Sequence, residues 1–170
     1  MSACMPVPLS AAAAMTRLAE PRPAAPSEAA VLRDLALRSK AHWGYDADFM
    51  AACVAPFTFA PEDFDRFDIV VIDGPMGPAA FAALSVEGDV AHLDKAFVDP
   101  DAMGHGLGRV LMRWATARAR ALGATHIMIE SDPYAEAFYL AMGARTVGAV
   151  PSEAIPGRSL PLMRLDLGDG

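Results

Sequence analysis

Cysteine, tryptophan and positive charge are all scarce in this sequence. Its 170 residues hold two cysteines, two tryptophans and 14 Lys and Arg against 21 Asp and Glu, a formal charge of −7. Two thiols, Cys4 and Cys53, are too few for a disulfide framework and lack the paired C-x2-C spacing of a zinc site. Reduced thiols in a cytoplasmic protein are therefore expected. A chain this acidic has no basic stripe with which to release phosphate counterions, which argues against a general nucleic-acid binder. It also disfavours an anionic membrane surface. Long apolar runs are missing too: charges or prolines interrupt every stretch before the roughly 18 residues of a membrane span. Residues 1–14 contain the small-residue run Ala11 to Ala14 but no basic segment and no sustained apolar one, so they do not read as a signal peptide. The expectation is a disordered tail over 1–14 and a single domain over 15–170. Four histidines without ligand spacing, and no legible Ser-His-Asp or Cys-His arrangement, give no reason to expect a metal or a covalent nucleophile.

Apolar residues are what the chain has in quantity, at 54% hydrophobic against 21% charged. That balance belongs to a globular chain of a length that buries most of its apolar surface in one domain. Prolines crowd residues 6–26, where missing N–H donors leave room for a tail and at most one edge strand, expected at 15–20 with Met15 as a candidate natural start. From Ser27, a candidate cap, Ala30, Val31, Leu35 and Leu37 recur at helical spacing to about residue 40. Asp46 or Asp48 is placed to cap a second helix over 49–54, which Pro56 closes, and a short turn is expected at 61–64. Three β-rich runs follow at 69–72, 79–86 and 90–98. Asp73-Gly74-Pro75 and Glu87-Gly88-Asp89 separate them and have the composition of turns between antiparallel strands.

After Asp99-Pro100 the period changes. Leu107, Val110, Leu111, Trp114, Ala115 and Leu122 mark a helix that Gly123 closes, with Arg109, Arg113 and Arg120 on its outer face. A strand at 126–130, a helix from Pro133 to Met142, and strands at 144–150 and 160–167 complete the chain. The order predicts an α/β fold: a mixed sheet, built around an antiparallel meander, with a strand-to-helix crossover in its middle.

Between the third meander strand and that helix lie Met103-Gly104-His105-Gly106-Leu107-Gly108-Arg109. Glycines at 104, 106 and 108 allow tight turns and bring bare amides close to a ligand. Free N–H groups at the helix start then favour an anion such as a pyrophosphate. A turn with no ligand explains the glycines equally well on their own. A Walker loop would require Gly-Lys-Ser/Thr, which is absent. The dinucleotide fingerprint fits poorly because its third glycine comes one residue early, at Gly108, although Glu130 lies where a ribose-binding acid would.

Taken with its surroundings, this stretch resembles the acetyl-CoA loop of the GCN5-related N-acetyltransferases, Arg/Gln-x-x-Gly-x-Gly/Ala after a strand ending in Val-x-Pro. Val98-x-Pro100 followed by Met103-x-x-Gly106-x-Gly108 matches it, with Met103 standing at the Arg/Gln position. A second block, Asp132-Pro133-Tyr134-Ala135 to Phe138-Tyr139 and Gly143-Ala144, is similar to the family's Asp-Pro-Asn-Ala segment, with Tyr134 in place of the asparagine. Arg22-Pro23-Ala24 looks like the family's first strand. The runs from Ser39 to Tyr45 and from Ile155 to Leu162 resemble a bacterial subgroup.

The resemblance implies a mostly antiparallel central sheet of about six to seven strands, flanked by about four helices and splayed at the cofactor site. It implies acetyl-CoA as co-substrate and direct transfer of the acetyl group to a primary amine of a small molecule or peptide. A noncatalytic acyl-CoA-binding or sensor module on the same fold is the alternative. In the family a glutamate often stands eleven residues before the Arg/Gln position; counting back from Met103 gives His92, an imidazole able to take the amine's proton. Tyr139 aligns with the family's general acid. Backbone amides of Ala96, Phe97 and Val98 are implied to hold the pantetheine arm. Met103, Gly104, His105, Gly106, Leu107, Gly108 and Arg109 are implied to hold the phosphates. His42, Trp43 and Arg158 are the candidate acceptor-binding residues, though an aromatic corner and a solvated arginine are the ordinary reading of such residues. The family often pairs through its C-terminal strands, so Leu160, Leu162 and Leu165 suggest a homodimer.

Overall fold

Alternating apolar residues from Asp68 onward fold as an antiparallel meander in the computed structural model, which describes residues 20–168. Strand β1 (Arg22–Pro23) precedes helices α1 (Ala29–Ala41), α2 (Ala47–Cys53) and α3 (Asp63–Arg66). The meander is β2 (Asp68–Gly74), β3 (Gly77–Glu87) and β4 (Val90–Val98). Helix α4 (Leu107–Ala121), strand β5 (His126–Glu130), helix α5 (Glu136–Ala141) and strands β6 (Arg145–Pro151) and β7 (Ser159–Asp166) follow. The seven strands lie in the order β1-β2-β3-β4-β5-β7-β6. Every pairing is antiparallel except β4 with β5. Five helices rather than four result, because the turn expected at 61–64 continues into α3.

Period-two alternation in β2 sends Val70 and Ile72 to one face of the sheet and Ile69 and Val71 to the other, and each face has its own core. On the first, Leu84, Ile127, Ile129 and Met163 pack with Leu107 and Leu111 of α4. On the second, Phe81 packs with Leu32 and Leu35 of α1 and with Phe59. Full burial of each such side chain contributes about 1.5–3 kcal/mol. The buried stripe of α1 is Leu32, Leu35, Ala36 and Ser39, so Ala30 and Val31, expected on it, face outward.

Helix ends account for the other differences. Ser27 does not cap α1: it lies inside a 3-10 turn over Pro26–Glu28, where the Glu28 carboxylate accepts the Ala25 N–H at 2.8 Å. Helix α5 begins at Glu136 instead of Pro133, because Asp132 draws the Tyr134 and Ala135 amides into a turn. Gly123, at φ +85°, ends α4 as its position suggests, with the Gly123 and Ala124 amides returning to the carbonyls of Arg120 and Ala119. Arg120, expected on a solvated face, instead reaches the Leu167 carbonyl. The strand expected at 15–20 falls outside the described residues apart from Glu20, which is not in a strand; the edge strand is at Arg22–Pro23. Its proline is tolerated because an edge strand has one face of donors to spare.

The central opening follows from one pairing. Strand β4 meets β5 only at Val90 with His126, Ala91 with Ile127 and His92 with Met128. Beyond His92, β4 stays paired to β3 as far as Val98 with Ala80, while its other edge is left open.

Candidate active site

Pro100 cannot continue the ladder, and the Asp99 carboxylate takes the Asp101 N–H at 3.0 Å to form a 3-10 turn over Pro100–Ala102. Gly104 and Gly106, both at φ +81°, then swing the chain into α4. Gly106 is the residue before the helix, and no side chain caps it. The first-turn amides therefore have no side-chain cap, and a Cβ at Gly104 would meet only open space. Gly108 has a different duty: a Cβ there would stand 3.0 Å from the Phe138 ring, so this glycine lets α4 and α5 close together.

A cavity of about 1000 Å³ extends from the loop along the open edge of β4 to α1, α2 and the β6–β7 turn. Ala96, Phe97, Val98, Met103, Gly104, Gly106, Leu107, Gly108 and Arg109 all line it. So do His92, Tyr139, Trp43 and Arg158. His42 and His105 do not: His42 is exposed and packs edge-on against Trp43 at 5.1 Å, and His105 is half-buried beside the loop. Leu160 and Leu162, expected at a dimer surface, line the cavity, and Leu165 packs partly buried against the core.

Tyr139 is 7% exposed, and among the described residues its hydroxyl has no hydrogen-bond partner. Burial pushes its phenol up to about 12, which keeps the proton in place through neutral pH. His92 sits on the last rung joining β4 to β5.

Several charged residues in the cavity were not legible as site residues. Asp94 accepts a hydrogen bond from the Ser85 hydroxyl at 2.9 Å, and burial nevertheless holds its carboxyl above the usual range. Glu130 is raised first by burial and then by Glu153 and Asp94. The Lys95 ammonium is lowered by burial and lies 4.8 Å from the Phe59 ring centre.

In a second cluster Lys40 pairs with Asp132, whose carboxylate also accepts the Tyr45 hydroxyl at 3.0 Å and the Tyr134 N–H at 2.8 Å. Burial pushes Asp132 up, but these donors outweigh it and leave the carboxyl below its ordinary value. Arg158 donates to the Tyr45 oxygen at 2.7 Å and stands over the Tyr45 and Phe49 rings, which stack 3.9 Å apart. Lys40 and Asp132 are 92 positions apart, so nothing in the local pattern announces their pairing. The only signal was that each lies in a stretch already singled out by resemblance.

Residues 32–144 match the model of the acetyltransferase (GNAT) family. The chain belongs to that family. Among curated proteins, it is 33% identical over 88 residues to the peptidyl-lysine N-acetyltransferase YjaB of Salmonella typhimurium, covering 52% of this chain and 56% of that relative. The match to YjaB of Escherichia coli is 34% identical over 88 residues, covering 52% and 55%. The chain thus spans about half the length of the curated relatives it matches.

Among solved structures, a GCN5-related N-acetyltransferase from Rhodopseudomonas palustris superposes with a TM-score of 0.72 at 21% identity, covering 87% of this chain and 95% of that one. The PaiA N-acetyltransferase of Thermoplasma acidophilum, in complex with coenzyme A, superposes at 0.69 with 13% identity, covering 86% and 98%. These likenesses establish the fold. Among the described residues, no helix is long and apolar enough to cross a membrane.

Proposed function

We propose that this chain is a cytoplasmic acetyl-CoA-dependent N-acetyltransferase that transfers the acetyl group by direct attack to a primary amine of a small molecule or peptide. The observation that carries this reading is the unpaired edge of β4 beyond His92, which joins the glycine loop, His92 and Tyr139 in one cavity. The phosphates would lie against the uncapped start of α4, and the pantetheine amides would pair with the open edge at Ala96, Phe97 and Val98. Family membership and the coenzyme A-bound PaiA neighbour support this placement.

The acceptor nitrogen attacks the thioester carbonyl carbon while backbone N–H groups of β4 stabilise the oxyanion. His92 takes the proton from that nitrogen, directly or through a water. The C–S bond then breaks, and Tyr139 gives its proton to the departing thiolate and regains one from solvent. A tyrosine on the cavity wall whose hydroxyl has, among the described residues, no competing partner favours catalysis over a passive sensor. The YjaB relatives are named peptidyl-lysine N-acetyltransferases, which makes a lysine-containing peptide a required member of the acceptor panel.

A panel of amines assayed for free CoA thiol tests the reading: release that depends on an amine supports it, and acetyl-CoA binding without transfer to any amine would leave a sensor. Thermal shifts with acetyl-CoA and NAD side by side test the loop, because a ligand that binds only the folded state raises the melting temperature. A homodimer paired through the C-terminal strands, with Leu160, Leu162 and Leu165 as its apolar residues, is part of the same proposal. Light scattering decides it.

A further inference from the structure

The charged residues that line the cavity form two clusters of opposite sign. Asp94, Glu130 and Glu153 interact with one another or with His92 and Lys95. The second cluster holds two cations, Lys40 and Arg158, and one carboxylate, Asp132, a formal balance of +1. The three side chains are only 11%, 19% and 14% exposed, so the imbalance is poorly screened by water.

Lys40 is committed to Asp132. Arg158 is not fully committed. Its single side-chain hydrogen bond runs from Nη2 to the Tyr45 oxygen at 2.7 Å, and the same nitrogen lies 3.6 Å from Asp132. Among the described residues its Nε and Nη1 make no hydrogen bond. The guanidinium carbon lies 5.1 and 4.9 Å from the Tyr45 and Phe49 ring centres, so the group is packed against that stacked pair while those donors stay unused. A packed guanidinium with spare donors on a cavity wall matches the planar, two-oxygen geometry of a carboxylate.

We propose that the acceptor is a small amine carrying its own carboxylate, bound with that carboxylate on Arg158 and its ammonium drawn to the acidic cluster before His92 takes the proton. Complementary charge in the two clusters selects such a zwitterion over a neutral amine and over a lysine side chain, whose neighbouring groups are amides. Tyr45 and Asp132 are positioning residues that hold the guanidinium in place. The inference rests on the transferase reading above and adds the acceptor class to it.

The test measures CoA release with free amino acids, β-alanine and 4-aminobutyrate, each beside its own carboxamide, and with a lysine-containing peptide blocked at both ends. At least one carboxylate should be used with kcat/KM tenfold or more above its carboxamide. Arg158→Gln should raise the KM for that acceptor tenfold or more with the KM for acetyl-CoA unchanged, and Arg158→Lys should recover part of the loss. Melting curves establish that both variants fold, and if Arg158→Gln does not, Tyr45→Phe takes its place with a smaller rise in acceptor KM. Equal use of carboxamides, use of the peptide alone, or a rise in the KM for acetyl-CoA instead of the acceptor would overturn the proposal. Silence of the whole panel would break the transferase reading itself. Thermal shifts with the same compounds in the presence of CoA then decide the anion site: stabilisation by carboxylates but not carboxamides retains it, and no difference overturns it.

Discussion

Strand β4 is two strands in one. From Val90 to His92 it is paired on both sides; from Leu93 to Val98 only β3 holds it. The doubly paired half lies beside the buried Ile127 and is ordinary sheet interior. The singly paired half keeps a row of backbone groups facing a cavity, which a protein avoids unless something else is to bind there. One sequence of nine residues thus divides into a part that holds the fold and a part proposed to hold the coenzyme, and the boundary is a histidine.

Substitutions on the two sides of that boundary should fail differently. Tyr139→Phe, facing the open half, should lower kcat by about 10²–10⁴-fold, with melting temperature and acetyl-CoA binding nearly unchanged, since the ring is kept. Steady-state kinetics check it, and a wild-type kcat would remove the tyrosine from the mechanism. Ile127→Ala, beneath the sealed half, should cost about 2–5 kcal/mol in denaturant unfolding while surviving folded enzyme keeps its kcat. His92→Ala, at the boundary, should slow the reaction most where the acceptor amine is still protonated and recover as pH rises. A pH-rate profile parallel to wild type would show that solvent takes the proton instead.

Gly106→Val should weaken acetyl-CoA binding, because a branched side chain is strained at φ +81° and crowds the cradle. Calorimetry reads that loss. The smallest effect is an acid dependence. Asp132 has a carboxyl below its ordinary value, so its ionised form stabilises the fold above the usual carboxylate range. That contribution should fade as pH falls below about 4 and vanish in Asp132→Asn, as urea titrations across pH would reveal.

Local pattern carried most of the fold. The turn after Glu87, the changed period after Pro100 and Gly123 at the end of α4 are each decided within a few residues and stand where expected, whereas the first meander turn falls at Pro75 and Met76 because the ladder runs on through Asp73 and Gly74. Helix starts were less legible. Glu28 and Asp132 draw backbone amides into turns that compete with continued helix, and the sequence does not say which arrangement wins. The outer face of α4 was misread at Arg120 because its partner, the Leu167 carbonyl, is 47 positions away. The same limit governs the site. Met103 to Arg109 form a contiguous motif and were visible, whereas Glu130, Glu153, Lys40 and Asp132 become neighbours of the cavity only when strands and turns distant in the chain converge.

Gly108 belongs to the glycine pattern that suggested an anion cradle, yet its missing side chain is occupied by the Phe138 ring. Phe138 packs edge-on against Tyr139 at 5.2 Å. The first turn of α4 and the residue proposed to protonate the thiolate are thereby separated by one aromatic ring. By lacking a methyl group, Gly108 sets how closely that turn and the phenol can approach.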